Sequence, residues 1–215
     1  DIDRAMLAKY DELIQSVFLE MFGDPVTNPK GWKVKKLGEI ITLVGGGTPK
    51  RKVAEYWNGN IPWATVKDLK GDILSETQEY ITQEGVANSS TKVIPKNSLI
   101  IGTRMAVGKT AINTIDVAIN QDLKGITVNG SLSNKYLHFF LKTKEKYFER
   151  NASGATVKGI KIKHIKDIDI PLPPVKAQDR FLDVVQDLEC HKERTSNSLT
   201  RSQELFSSLL RQAFG

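Results

Sequence analysis

The chain has 215 residues, a net charge of +6 at pH 7 and a hydrophobic fraction of 40%. No apolar run approaches the roughly 20 residues that a membrane-spanning helix needs, so we do not expect a membrane protein. Cys190 is the only cysteine, which excludes an intrachain disulfide and favours a reducing, cytoplasmic setting.

The positive charge is concentrated in the middle of the chain. Residues 1–23 carry a net charge of −3, residues 24–175 carry +9, and residues 176–215 are neutral. A basic surplus confined to one region is typical of a domain that binds a polyanion, with nucleic acid as the first candidate. A surplus that serves only solubility would leave the same pattern, so charge alone leaves both interpretations open.

Apolar side chains at helical spacing predict an amphipathic helix over residues 3–22. Gly23 and Pro25 end it, because glycine suits the position after a helix and proline cannot continue one. Short β-branched segments bounded by turn residues then predict a series of strands. These segments are residues 41–44, 61–66, 98–101, 110–112, 125–128 and 168–170.

Two further helices are predicted in the second half of the chain. Ser133 is a good N-cap for a helix from about residue 134 to residue 150. A second helix runs from Val175 to Phe214 without proline or internal glycine, and about 39 residues at 1.5 Å each would span roughly 58 Å. Its heptad positions are mostly apolar and predict coiled-coil-like pairing with another helix. With the N-terminal helix, the predicted spacer or dimerisation positions are Leu13, Val17, Val185, Leu188, Leu199, Phe206 and Leu209.

The end of the chain repeats its beginning. Residues 204–215 match residues 12–23 in their apolar positions and share Glu, Leu, Ser, Phe and Gly at an offset of 192 positions. A period this long corresponds to one domain plus one helix and not to a solenoid repeat. The sequence therefore indicates one unit of an array of domains and long helices, an arrangement that suits recognition of two sites.

No catalytic constellation is evident. Residues 102–110 come close to a phosphate-binding loop, but the first glycine lies one residue too early and a strand pattern follows. Residues 45–47 lack the spacing of a dinucleotide-binding loop, and we expect a flexible loop there. Asp116, Asp122 and Lys124 faintly suggest a metal-dependent nuclease but lack a third carboxylate. We therefore predict a non-catalytic protein without a metal site.

Seven segments in order along the chain are together specific to one family. They are residues 32–40, 45–50, 56–63, 66–69, 119–122, 154–160 and 170–174, with Gln178 just after the last. The chain resembles the specificity subunit of type I restriction–modification systems. The resemblance covers most of residues 31–180, and each segment alone would be a weak signal.

The resemblance implies an α+β fold and a division into three parts. Residues 1–23 would be a segment of an N-terminal spacer helix, and residues 24–174 a mixed, mostly β target recognition domain with short helices. Residues 175–215 would be a long, coiled-coil-like spacer or dimerisation helix. One recognition domain where full-length members carry two implies a half-subunit, which would form a homodimer, or a fragment of a longer chain.

The resemblance also implies a DNA-specificity role without catalysis in this chain. Each recognition domain in the family reads one half of a bipartite DNA target. The implied partners are double-stranded DNA, modification (methyltransferase) subunits and restriction subunits. S-adenosylmethionine, ATP and Mg²⁺ belong to those subunits, so we expect no cofactor here.

Basic residues in predicted loops are the candidates for DNA contact, although a solvated surface charge is an equally good interpretation of each lysine. Arg51 and Arg104 are the stronger candidates because arginine can read guanine. Trp57 and Trp63 are expected to serve packing more than stacking on DNA. The candidates are Lys50, Arg51, Lys52, Lys67, Lys70, Arg104, Lys109, Lys158 and Lys161.

Two other functions stay open at this point. The chain could be the recognition part of a fused restriction–methyltransferase enzyme, or a cryptic nuclease that depends on Asp122. It could also be a basic protein-interaction module whose charge is incidental.

Overall fold

The computed structural model describes the backbone of residues 2–214 and the side chains of residues 9–204, 208, 209, 211 and 212. The chain forms two compact units, which we describe separately. The β unit is Trp32–Leu172, and the helical unit combines Asp1–Gly31 with Pro173–Gly215. The predicted α+β fold with an N-terminal helix and a long C-terminal helix is confirmed. Among the described residues, no helix is both long enough and apolar enough to cross a membrane.

The strands of the β unit form three sheets. Neighbouring strands are antiparallel except for the pairs β4–β8 and β3–β9, which are parallel. The first sheet has the order β2 (Ile41–Gly45), β10 (Leu123–Val128), β7 (Leu99–Gly102), β8 (Thr110–Asn113), β4 (Ile73–Leu74). The second has the order β5 (Glu79–Ile81), β3 (Trp57–Ala64), β9 (Val117–Ile119), β6 (Lys92–Ile94). The third pairs β1 (Lys33–Lys36) with β11 (Asp169–Leu172).

One apolar core joins the two larger sheets. Ile100 on β7 and Leu123 on β10 meet Ala64 on β3 and Ile119 on β9, and all four side chains are fully buried. Strand β7 is buried along its whole length, as expected for an apolar run in the interior of a sheet. This core fixes the strand ends from which the polar loops of the β unit project.

Two consecutive helices replace the single helix predicted from residue 134 to residue 150. Helix α4 covers Asn134–Lys142 and helix α5 covers Glu145–Asn151. The N-cap prediction is correct, since the Ser133 hydroxyl accepts from the Lys135 N–H at 3.2 Å. The single-helix prediction is wrong because the Thr143 N–H and hydroxyl both donate to the Phe140 carbonyl, at 3.0 and 2.7 Å, which ends the helix.

Three short helices and two 3₁₀ turns complete the β unit. They are α2 (Leu37–Ile40), α3 (Gln83–Ala87) and α6 (Ile162–Lys166), with 3₁₀ turns at Ala54–Tyr56 and Val66–Asp68.

The glycine run after β2 is tightly packed, so the expected flexible loop is a wrong prediction. A Cβ atom on Gly46 would lie 2.2 Å from the Asn120 carbonyl oxygen, and one on Gly47 would lie 2.7 Å from the Thr91 nitrogen. The Gly47 N–H donates to the Ile119 carbonyl at 3.0 Å. Glycine is needed here because backbone meets backbone with no space for a side chain.

The helical unit pairs α1 (Ile2–Phe22) with the first half of α7 (Val175–Phe214). Phe181 meets both Phe18 and Phe22 with ring centroids 5.4 Å apart. Further along, the hydroxyls of Tyr10 and Thr195 lie 3.2 Å apart. Because the end of α1 lies beside the start of α7, the two helices run antiparallel.

The predicted spacer positions have different surroundings in this helix pair. Val185 is buried, Val17, Leu188 and Leu199 are partly buried, and Leu13 and Leu209 are exposed; the Phe206 side chain lies outside the described residues. Ile14 and Phe18 are the buried positions next to Leu13 and Val17. The apolar faces that motivated a homodimer are thus partly covered within one chain.

Candidate nucleic-acid interface

The structure brings together two basic loops that are far apart in sequence. Residues 102–109 run from the last residue of β7 to the start of β8, and residues 153–161 lie between α5 and α6. The Met105 N–H donates to the Lys158 carbonyl at 3.1 Å, and the Ile160 N–H donates to the Thr103 carbonyl at 2.9 Å. We call these two segments the basic loop pair.

Residues 102–109 form a closed hairpin loop and not a phosphate-binding loop. The Gly108 N–H donates to the Gly102 carbonyl at 2.9 Å, and the Thr103 N–H and hydroxyl donate to the Asp122 carbonyl at 2.8 and 3.0 Å. A strand follows the loop instead of the helix that phosphate binding requires. The conformation of this loop is therefore set by a backbone hydrogen bond within the loop and by two hydrogen bonds from Thr103 to the Asp122 carbonyl.

The basic loop pair carries four of the predicted DNA-contact residues. The Arg104 guanidinium is about half exposed, and one of its nitrogens lies 3.5 Å from Asp122 Oδ1. Lys109, Lys158 and Lys161 are exposed, and among the described residues none of these three forms an ion pair. The loop pair thus presents several cations against one partly shielded carboxylate.

A second cluster holds the other predicted arginine. Arg51 donates to both carboxylate oxygens of Glu79, one of them at 2.9 Å, and its guanidinium carbon lies 3.9 Å from the centre of the Trp57 ring. Trp57 and Trp63 meet edge to face at 5.2 Å, and the buried Trp63 donates to the Gly47 carbonyl at 3.1 Å. We call Arg51, Trp57, Trp63 and Glu79 the tryptophan cluster.

Arg51 and Glu79 hold each other firmly. The hydrogen bonds from Arg51 lower the pKa of the Glu79 carboxyl, and partial burial opposes that effect without cancelling it. A polar groove of about 570 Å³ lies beside the pair and includes Asn58 and Tyr80 in its lining. A DNA contact by Arg51 would have to replace or share its bonds to Glu79.

The remaining lysine candidates lie in other segments of the β unit than the basic loop pair. Lys50, Lys52 and Lys67 are exposed, and the Lys70 ammonium lies 3.9 Å from a Glu76 carboxylate oxygen. The structure does not bring these residues into the basic loop pair. Their role in DNA contact stays a prediction.

A side-chain hydrogen bond fixes the turn before β10. Asn120 Oδ1 accepts from the Asp122 N–H at 3.1 Å, which fixes the turn. Asp122 faces Arg104, and Asp116 accepts from the Lys96 N–H at 2.7 Å. Among the described residues no group of three or more His, Cys, Asp or Glu side chains could hold a metal ion, so nothing here supports a nuclease site.

Sequence reasoning missed Glu79 as the partner of Arg51. Glu79 lies directly opposite Trp63 in the antiparallel pairing of β3 and β5, which places its carboxylate next to the arginine. The three-residue strand β5 gives no periodic signal of its own, so this contact could not be seen before the strands were paired.

These observations agree with the comparison to known families. The model for the type I restriction modification DNA specificity domain matches residues 29–201. The chain therefore belongs to that family. The predicted identification as a specificity subunit, and not a catalytic one, is confirmed at the level of the family.

Curated relatives carry matching names. The chain is 31% identical over 189 residues to the MjaIX type I restriction enzyme specificity subunit of Methanocaldococcus jannaschii, covering 84% of this chain and 44% of the relative. It is 32% identical over 178 residues to the EcoR124I/EcoR124II specificity subunit of Escherichia coli, covering 80% and 44%. The chain thus spans less than half the length of these relatives.

Solved structures share the fold. The HsdS subunit of Thermoanaerobacter tengcongensis matches with a TM-score of 0.68 at 21% identity, over 99% of this chain and 52% of that one. The S subunit of a type I restriction–modification system from M. genitalium matches with a TM-score of 0.56 at 15% identity, over 79% and 41%. At these identities the comparison supports the architecture alone.

Proposed function

We propose that this chain reads one half of a bipartite DNA sequence as the specificity component of a type I restriction–modification complex. The observation that carries the proposal is the basic loop pair, in which Arg104, Lys109, Lys158 and Lys161 belong to two loops joined by backbone hydrogen bonds. Such a complex would act on cellular DNA, so we expect the chain in the cytoplasm.

Affinity and specificity would come from different groups. Exposed lysines neutralise phosphates, which gives affinity and a steep salt dependence but no sequence information. Arg104 can donate to guanine O6 and N7 in the major groove, which gives specificity. Its single 3.5 Å contact with Asp122 leaves most of its donors available.

Modification subunits are the proposed protein partners, with restriction subunits joining the same assembly. Those subunits would carry out the chemistry that uses S-adenosylmethionine, ATP and Mg²⁺, and this chain would recognise the DNA sequence. The helical unit offers apolar surface for such contacts, because Leu13, Leu19 and Leu209 are between 41% and 54% exposed.

A second copy of the chain is a further proposed partner. Residues 12–22 form the end of α1, which packs against the start of α7, and residues 204–214, which repeat the sequence pattern of that segment, form the end of α7. The repeat predicts that the end of α7 packs against the start of another helix equivalent to α7. That helix would belong to a second copy of the chain or to a second domain of a longer chain. Two copies related by a two-fold axis would read a symmetric, split site.

Selection from random duplex DNA tests the proposal most directly. The chain is combined with cognate modification subunits, and bound DNA is sequenced at two salt concentrations. We expect two short half-sites separated by a fixed gap, because two recognition domains on a rigid spacer read two sites at one phase. One short half-site would support reading by a single domain without a dimer.

Two results would contradict the proposal. The absence of any enriched sequence, together with binding that vanishes as salt rises, would leave only a basic surface. Retained binding to modification subunits without any affinity for DNA would favour a protein-interaction module. Light scattering at micromolar concentration then tests the dimer separately, since a monomer under these conditions would count against it.

A further inference from the structure

Met105 stands out on the surface of the β unit. It is 66% exposed and, among the described residues of this unit, the most exposed large apolar side chain, followed by Ile73 at 51%. Isolated apolar side chains are common on protein surfaces, so exposure alone carries no argument. A second observation concerns the backbone.

The Met105 backbone lies in the left-handed region, with φ of +61°. The other described non-glycine residues with positive φ are Asn28, Asn58 and Asn97, and asparagine tolerates this region well. Methionine has no such preference and places its side chain there at a conformational cost. Such strain persists where surrounding contacts enforce it, and it is concentrated at functional sites.

The surrounding contacts here are backbone hydrogen bonds. The Met105 N–H donates to the Lys158 carbonyl at 3.1 Å, and the Ala106 N–H donates to the Arg104 carbonyl at 2.7 Å. These bonds hold Met105 at the tip of residues 102–109 with its side chain in solvent. An apolar group is therefore presented at a defined position between the cationic residues of the basic loop pair.

The chemistry of that position fits one feature of DNA. The major groove exposes a single apolar group, the C5 methyl of thymine, in the same groove where arginine reads guanine. A long, flexible thioether side chain can cover a methyl group that lies beside an arginine-read base.

We propose that Met105 is a specificity-determining residue that contacts the C5 methyl of a thymine in the major groove of the target. This inference rests on the proposed function, because it requires sequence-specific DNA binding by the basic loop pair. It adds to that function a preference for thymine at one position of the half-site.

The test compares thymine with uracil, which lacks only the methyl group. Each thymine of the selected target is replaced in turn by deoxyuridine, and the dissociation constant is measured for the complex with modification subunits. In the wild type we expect one replacement to weaken binding roughly fourfold, the equivalent of about 0.8 kcal/mol for one buried methyl group. In Met105→Gly the same replacement should have no effect.

The glycine variant keeps the loop intact because glycine accepts the backbone conformation of residue 105 without strain. Its melting temperature should match or exceed that of the wild type. Met105→Leu is expected to retain the uracil penalty, since it keeps an apolar side chain of similar size. Ile73→Ala removes an exposed apolar side chain from β4 and serves as the matched control, with the penalty unchanged.

The outcomes separate this inference from the proposed function. An equal uracil penalty in the wild type and in Met105→Gly, or the lack of a sensitive thymine, overturns the inference while specific binding stands. A further measurement uses target DNA that carries the fluorescent base 2-aminopurine. A large increase in its fluorescence on binding of the wild type, but not of Met105→Gly, would also overturn the inference, because it indicates a side chain wedged between bases. Loss of sequence-specific binding in the wild type contradicts the proposed function itself.

Discussion

The tryptophan cluster and the basic loop pair each place one arginine beside one carboxylate, yet the two arginines have different environments. Arg51 donates two hydrogen bonds to Glu79 and covers the Trp57 ring. Arg104 approaches Asp122 with one nitrogen, at 3.5 Å. Arg51 therefore has a structural role, whereas Arg104 keeps hydrogen-bond donors available for a ligand. Exposure does not distinguish them, since both side chains are about half exposed.

The difference comes from what each arginine packs against. Arg51 lies over two aromatic rings, which hold its guanidinium plane and align it with the carboxylate. Arg104 belongs to a loop that is fixed mainly through backbone hydrogen bonds, and its side chain is held by a single 3.5 Å contact with Asp122 instead of by aromatic rings. We therefore expect side chains that can bind DNA in loops whose backbone is fixed by hydrogen bonds but whose basic side chains have few partners within the protein.

The largest expected effect is on the stability of the tryptophan cluster. Trp63→Ala should lower the free energy of unfolding by about 3–5 kcal/mol, because it empties a buried site against β5 and removes the donor to the Gly47 carbonyl. Urea denaturation measures the loss, and Trp63→Phe, which keeps most of the ring, should cost less. A loss below about 1 kcal/mol for the alanine variant would show that the cluster is not structural.

The next effect separates the two arginines. Arg104→Ala should weaken binding to the selected DNA by about 1–3 kcal/mol and relax the preference at one base pair, with little change in melting temperature. Arg51→Ala should lower the melting temperature and leave the affinity of the folded protein nearly unchanged. Fluorescence anisotropy and thermal melting on both variants test the comparison. The proposed difference between the two arginines is wrong if Arg51→Ala loses affinity for the selected DNA while its melting temperature is unchanged.

Salt dependence gives a smaller and sharper test. Lys158→Ala and Lys161→Ala should each reduce the slope of log affinity against log salt by about 1 and weaken binding equally for all sequences. Lys92→Ala is the matched control, because Lys92 is an exposed lysine on β6 that is not among the predicted DNA contacts. An unchanged slope in the double variant would remove phosphate contact from the basic loop pair.

The smallest effect is on pH dependence in the tryptophan cluster. Hydrogen bonds from Arg51 lower the pKa of Glu79, so the stabilisation is fully present above the ordinary glutamate value of about 4.3. It is lost as the pH falls from there towards the lowered pKa. Because Glu79 is 39% exposed, we expect less than about 1 kcal/mol.

Urea midpoints for the wild type and Glu79→Gln between pH 7 and pH 3 measure this effect. The difference between the two proteins should shrink as the pH falls below about 4.3, because the protonated glutamate loses its charge-assisted bonds. A difference that stays constant would show that the ion pair does not contribute.

Local sequence signals predicted the elements that carry their own pattern. Strands β2, β7 and β10 are rich in β-branched residues and bounded by turn residues, and α7 runs for 40 residues without proline or internal glycine, so their positions could be predicted directly. Strand β1 could not, because its sequence is Lys-Val-Lys-Lys and its pairing with β11 joins opposite ends of the β unit. The break between α4 and α5 also escaped, since it depends on the hydroxyl of Thr143.

The candidate site was predicted in its parts but not in its arrangement. The sequence indicated both loops of the basic loop pair, yet the contact between Arg104 and Gly159 depends on tertiary structure and leaves no local trace. The sequence does not single out Met105, because a methionine in a turn gives no signal until its φ angle is known. Trp63 is buried, in agreement with the expected packing role, whereas the pairing of the nearby Arg51 with Glu79 could not be predicted from the sequence.

The two loops of the basic loop pair are joined only by backbone hydrogen bonds, and this has a consequence for the evolution of the target sequence. Hydrogen bonds from Met105 to Lys158 and from Ile160 to Thr103 use main-chain atoms, so they do not depend on the side chains at positions 104, 105 and 158. Side chains at positions 104 and 158 can be exchanged while the backbone keeps its shape, and position 105, with φ of +61°, accepts glycine and asparagine with the least strain. The β unit is thus suited to acquiring new target sequences by substitution, and a library randomised at these three positions is a practical starting point for engineering one.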